Sequence, residues 1–342
     1  MAPVILAAKL RPAIVHQLIA TGQQDALFDQ AIDGFDVSVD RHLGIGPNDG
    51  DIESHVDAMR ERLSQLFATN RPDLVLVQGD TNSAYAAALA AHDKGIAIGH
   101  VEAGLRTHIP DRPWPEERNR VAIAQIATLH FAPCLQAMDN LGAEQVPGTV
   151  FLTGNPGIDA LMMAARPPSR RSIGPHQVIV TCHRRENFGA PLEGICQALQ
   201  MLAEREDVLI TIPLHPNSQV RTIILSHLAN VPGIRLVEPL EYPEMIAAIR
   251  ASRMVISDSG GLQEECGALG IPILLMRDET ERPEVVMNGN CVLTGASPTR
   301  IIEEALHLIK NNAHHAQMSL PCLPYGDGNA AKRIIDIIEH FA

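Results

Sequence analysis

The stretch Ser257-Asp258-Ser259-Gly260-Gly261-Leu262-Gln263-Glu264-Glu265-Cys266 follows an apolar run, RMVI, and leads into a helical pattern. Ser259, Gly260 and Gly261 at a helix start would offer unpaired N–H groups, with no side chain to keep an anion away. Glu265 stands four residues beyond Gly261, on the same helical face one turn deeper. A carboxylate there would repel a phosphate, but it can accept hydrogen bonds from two neighbouring hydroxyls, as on a ribose. The combination points to a nucleotide, with its diphosphate on the glycines and its sugar on the glutamate. A capped helix whose acids merely favour its dipole is the competing reading.

Other reactive types recur where apolar runs end. In the second half these are His183-Arg184-Arg185-Glu186, His215 and Arg277-Asp278-Glu279, and Arg282 and Glu284 lie in the loop DETERPEVV. His183 with Arg184 and Arg185 reads as a second phosphate contact. The first half supplies Gln23-Gln24, Gly79-Asp80-Thr81, Glu102 to Arg106 and Gly154-Asn155. Asp80 and Glu102 close successive strands. Glu116 and Glu117 lie in PWPEERNR, where the only Trp sits between two prolines and stiffens the backbone. Carboxylates held close to one another suit acid/base work. Taken singly, each is more often a helix cap or a surface charge; as a set opposite a nucleotide seat they favour catalysis.

The elements that must position these residues are short β-branched runs alternating with longer helical patterns. PAIVHQLIATG, RPDLVLVQGD, IAIGHVEAG, TLHFAPC and VFLTGNP read as strands in the first half. QVIVTCHR, VLITIPLHP, IRLVEPL, MVISDSGG and PILLMRD do so in the second. Near-continuous apolar strands separated by helices imply parallel sheets covered on both faces, with ligands beyond the strands' carboxyl ends. RPPSRRSIGPH interrupts the rhythm as a linker. The expected class is therefore α/β with two doubly wound, Rossmann-like domains facing a cleft; a single eight-fold barrel is the runner-up. The boundaries drawn are 1–165, 166–325, and a C-terminal helix, 326–342, packing back on the N-terminal domain. Residues 1–9 read as a helix, an odd start for a domain that normally opens on a central strand.

The 342 residues are 46% hydrophobic, 20% charged and 3% aromatic, with a net charge of −13. Scarce aromatics and a negative balance argue against nucleic acid as a partner. Six cysteines without a C-x-x-C pair fit a reducing cytoplasm. No apolar run reaches membrane-spanning length, so no membrane partner is expected. GIGPNDG and GDGNAA imitate dinucleotide fingerprints but lack their strand context. The fifteen histidines show no metal spacing. No metal and no cofactor are expected.

VQGDTNS, GHVEAGLRT, PWPEERNR, LTGNPGIDAL, CHRRENFG, SDSGGLQEE, MRDETERPE and the terminal PYGDG occur in one order along almost the whole chain. In these motifs the chain resembles the non-hydrolysing UDP-N-acetylglucosamine 2-epimerases, enzymes of the GT-B fold. The resemblance implies reversible conversion of UDP-N-acetylglucosamine into UDP-N-acetylmannosamine without NAD or metal. The route is elimination of UDP to a 2-acetamidoglucal, followed by re-addition. It implies Asp80, Glu102 and Glu116 as catalytic acids, joined by His183, with Ser259, Gly260, Gly261 and Glu265 on UDP. Gln23, Arg106, Arg120, Arg184, His215 and Arg282 complete the expected substrate contacts. A homodimer serving surface polysaccharide synthesis is also implied.

The family usually opens with a strand and a basic loop before a helix reading M-A-P. This chain begins at that helix, so the first strand of the N-terminal domain is expected to be absent, with an Arg and a Lys near the diphosphate. TGQQ, and Ala58 or a neighbour in place of an Arg, depart from positions that the resemblance ties to activation by a second substrate molecule. A hydrolysing relative, a glycosyltransferase of the same architecture and a nucleotide-sugar binder with little turnover remain the alternatives.

Overall fold

The computed structural model describes residues 1–22, 32, 34–46, 51–165, 174–205 and 207–341. It divides into two units, Met1–Met163 with Pro324–Ala342, and Ala164–Leu323. The first boundary falls two residues before the expected one. The C-terminal helix belongs to the first unit, along with Pro324 and Tyr325.

In the second unit the apolar runs form six parallel strands: β7 (His176–Thr181), β8 (Val208–Pro213), β9 (Ile234–Val237), β10 (Met254–Ser257), β11 (Ile273–Leu275) and β12 (Cys291–Leu293). Their spatial order is β12-β11-β10-β7-β8-β9. The chain therefore winds outward from β7 in one direction, then returns to its other side at β10 and winds outward again. This is the doubly wound order, whose switch point lies between the first and fourth strands, here β7 and β10. Val178, Val180, Ile210, Met254, Ile256 and Leu274 enter one buried cluster, lined by α7 (Ala190–Ala203) and α12 (Pro298–Lys310). The sequence reading missed β12, whose three residues are too few to show a period.

The first unit holds two sheets. One is β3 (Leu74–Gln78), β4 (Ala97–Val101), β5 (Leu129–Ala132) and β6 (Thr149–Leu152), all parallel and in sequence order. The other pairs only β1 (Ile19–Ala20) with β2 (Arg41–His42). Ile19 nevertheless packs into the same apolar cluster as Val75 of β3. Among the described residues β3 has one strand neighbour, β4. The run 12–22, read as a strand, contributes only Ile19–Ala20, and Val15 is exposed. The opening residues form α1 (Ala2–Lys9), as expected.

The C-terminal helix α14 (Ala330–Phe341) packs Ile334, Ile335 and Ile338 against Val4 and Ala8 of α1 and Phe131 of β5. Asp159 fixes its start by accepting the Ala331 and Ala330 N–H groups at 2.8 and 3.1 Å, where a carboxylate also meets the positive end of the helix. Gly154 and Gly326 allow this contact. A methyl group on Gly326 would lie 3.2 Å from the Gly154 Cα.

Candidate functional site

In the second unit the strand ends at the switch point carry the nucleotide candidates. Ser259 caps α10 (Gly260–Leu269), its Oγ facing the Leu262 N–H at 3.5 Å. The amides of Gly260 and Gly261 are first-turn donors with no helical acceptor behind them. Gly261 is exposed, and a methyl group there would meet nothing within 4 Å. Gly260 is buried. A methyl group there would lie 2.9 Å from Arg282 Nη1 and from Glu281 Oε1, and 3.5 Å from Arg184 Nη2. An amide-lined seat is thus bordered by two guanidinium groups.

The two glutamates of the opening stretch have different partners. Glu264 is buried and accepts from Arg282 Nε at 2.6 Å; Arg282 also bonds Glu281, which pairs with Arg277 at 2.9 Å. That buried ion network underlies the seat, and it neutralises the carboxylate that would otherwise repel a phosphate. Glu265 accepts from the Tyr242 hydroxyl at 2.7 Å. Burial pushes its carboxyl up to about 7, against the lowering effect of the Tyr242 bond. Burial and then the Glu265 charge push the Tyr242 phenol up in turn.

His183 follows β7, and its Nδ1 lies 3.1 Å from the buried Asp258 carboxylate. Its ring stacks on His215, beyond β8, with centroids 5.7 Å apart. Burial and then the neighbouring His183 lower the His215 basicity. These contacts bring together His183, Arg184, His215, Ser259, Gly260 and Arg282, with Glu265 one turn along the helix.

In the first unit Asp80 lies in the turn between β3 and α3 (Asn82–Asp93), which Thr81 caps. Arg120 holds its carboxylate through Nε at 3.1 Å and also through Nη2, and the Asn119 amide bonds its carbonyl at 2.9 Å. Glu102 follows β4 in the left-handed region, φ 65°, a conformation that costs a non-glycine residue about 1 kcal/mol or more and marks functional turns. Gln78 donates to its Oε2 at 3.3 Å. The pair in PWPEERNR divides in role. Glu117 is buried and accepts the Thr107 and His108 N–H groups and Arg120 Nη1, all at 3.0–3.2 Å. Glu116, first residue of α4 (Glu116–Ala124), keeps Oε2 buried with no hydrogen-bond partner among the described residues.

Arg106 forms a bidentate pair with Glu144 at 2.7 and 2.8 Å and donates to the Leu105 carbonyl. Its guanidinium is thereby engaged in holding the loop after β4. Gln23 lies outside the described residues. The sequence reading missed Tyr242, Asn119, Gln78 and the anchoring roles of Arg277 and Glu281. Asp258 stood inside the quoted stretch, and its place between a strand end and a helix cap was the available signal.

Among the described residues Glu304, His307 and His314 bring metal-type ligand atoms within 4.8 Å of one another. The two imidazoles stack 4.1 Å apart at 11°. A ring nitrogen binds a metal in the plane of its ring, and two near-parallel planes share no such point, so this arrangement does not make them joint ligands. All six cysteines are free. No described helix is long and apolar enough to cross a membrane.

An anion seat at a doubly wound switch point, and a second parallel-sheet unit with acids at its strand ends, define an α/β enzyme with two Rossmann-like domains. Residues 7–339 match the UDP-N-acetylglucosamine 2-epimerase family, and the chain belongs to it. It is 39% identical over 349 residues to UDP-N-acetylglucosamine 2-epimerase of Bacillus subtilis, covering 100% of this chain and 92% of that one. The crystal structure of UDP-GlcNAc 2-epimerase from Neisseria meningitidis, bound to UDP-GlcNAc, superposes with a TM-score of 0.94 at 35% identity, covering 99% and 96% of the two chains. The Methanocaldococcus jannaschii enzyme, solved with UDP-GlcNAc and UDP, gives a TM-score of 0.87 at 29% identity, covering 99% and 95%.

Proposed function

We propose that this epimerase inverts C2 of UDP-N-acetylglucosamine, reversibly giving UDP-N-acetylmannosamine, by elimination and re-addition of UDP. The observation that carries the reading is the Ser259–Gly261 seat at the switch point, with Glu265 one turn further in. The reading gives the diphosphate to the two glycine amides, Arg184 and His183, and the ribose hydroxyls to Glu265. His215 and Arg282 support that seat.

C2 chemistry falls to Asp80, Glu102 and Glu116. A carboxylate removes the C2 proton, the C1–C2 double bond forms, and the C1–O bond breaks with its electron pair passing to the diphosphate oxygen. The reverse sequence delivers a proton to the opposite face of C2, so one group serves as base and another as acid. The unpartnered Glu116 oxygen supports a proton-transfer role, because a buried acceptor left unpaired is costly unless substrate completes it. Arg120 aligns Asp80.

The same reading gives a cytoplasmic homodimer that uses no cofactor; six free thiols support a reducing compartment. Incubation with UDP-N-acetylglucosamine in deuterated water, followed by NMR, tests the chemistry. Deuterium at C2 of both epimers, with UDP still attached, is expected. Free N-acetylmannosamine as the sole product overturns it in favour of hydrolysis. Sedimentation tests the dimer.

A further inference from the structure

Asp258 is fully buried, yet its carboxylate gathers five donors from one loop. Oδ2 accepts the backbone N–H groups of Arg184 at 2.9 Å and His183 at 3.0 Å, the Asn187 amide at 3.0 Å and the Cys182 thiol at 3.2 Å. Oδ1 faces His183 Nδ1 at 3.1 Å. Burial by itself would raise this carboxyl, but the His183 contact and the amide donors outweigh it and hold it well below the usual carboxylate range. A buried, ionised and fully coordinated carboxylate thus ties the end of β7 to the residue before the α10 cap.

The histidine ring has two distinct nitrogens, and the bond made by one fixes the direction of the other. With Nδ1 turned to Asp258, Nε2 points to the far side of the ring, whose side chain is 37% exposed and braced by His215. With the Nδ1 proton given to Asp258, Nε2 donates only as the imidazolium, and an adjacent carboxylate compensates that charge. We infer that Asp258 is a positioning residue. It fixes His183 so that Nε2–H meets the diphosphate oxygen that gains the electron pair when the C1–O bond breaks, and loses it when the bond re-forms. This role rests on the assignment of UDP to the Ser259–Gly261 seat. Nothing is oxidised or reduced, and the Nε2 proton stays on the ring throughout.

A double-mutant cycle separates positioning from simple support of the loop. UDP affinity, kcat and KM are measured for wild type, Asp258→Asn, His183→Gln and the double variant, with thermal unfolding followed alongside. With His183 intact, Asp258→Asn is expected to lower kcat about tenfold or more, a larger change than in KM. Introduced into the His183→Gln variant, the same substitution is expected to change kcat less than about twofold. Nitrogen-15 NMR of histidine-labelled enzyme with UDP reads His183 directly. The Nδ1 signal is expected to move in Asp258→Asn, because its carboxylate acceptor is replaced by an amide.

Equal losses in both backgrounds, or unchanged His183 nitrogen signals in a folded Asp258→Asn variant, overturn the inference. Failure of wild type to bind UDP overturns the underlying seat assignment instead.

Discussion

The neighbouring glycines of the α10 cap give a paired test of the seat. A methyl group on Gly260 would stand 2.9 Å from both Arg282 Nη1 and Glu281 Oε1. Those two atoms are bonded to each other, and their buried side chains are held further by Glu264 and Arg277, so they cannot swing into solvent. Overpacking of this kind costs about 1–3 kcal/mol, and replacing glycine by alanine in a helix returns about 0.5–1 kcal/mol. Gly260→Ala should therefore lose about 1–2 kcal/mol, roughly 2–8 °C in Tm for a unit of this size. Gly261→Ala meets nothing inside the protein and should be neutral or raise Tm by roughly 1–4 °C. Its methyl group would occupy the space given to the diphosphate, so its UDP affinity should fall about tenfold, equivalent to ~1.4 kcal/mol. Calorimetric unfolding and UDP titration of both variants separate the two effects. Equal stabilities would refute the buried-clash argument, and wild-type UDP affinity in Gly261→Ala would refute the seat.

Three further outcomes are expected. Glu265 is raised from about 4.5 unfolded to about 7 folded, so its contribution to stability is full below pH 4.5 and is lost as pH climbs to 7. Unfolding free energies of wild type and Glu265→Gln should change relative to one another by about 3 kcal/mol across that window, and parallel pH curves would rule this out. Glu116→Gln should lower kcat about 10²–10⁴-fold while UDP titration stays near wild type, because proton transfer is lost and the nucleotide contacts are not. Asp159→Ala removes two N–H acceptors from the start of α14 and should cost about 1–2 kcal/mol, read as a lower urea midpoint with an unchanged slope.

Much was legible because strand ends in doubly wound sheets are where function collects. The apolar runs gave ten of the twelve described strands. The exceptions were β2, two residues long, and β12, three residues long; neither shows a period. The Ser259-Gly260-Gly261 cap followed from residue type alone, since few other residues leave first-turn amides open.

Residue type and spacing determined this chain's strands, its caps and its membership in a nucleotide-sugar epimerase family. They did not determine which of two adjacent acids is free. Glu116 and Glu117 are equivalent on paper, yet folding gives Glu117 two backbone amides and Arg120 and leaves a Glu116 oxygen open. Glu264 and Glu265 divide in the same way, one to Arg282 and the other to Tyr242. Arg106, expected on substrate, meets Glu144. Partners far apart in sequence meet only when the sheets assemble. The low-dielectric contacts made there decide which charges are neutralised in the fold and which stay available for chemistry.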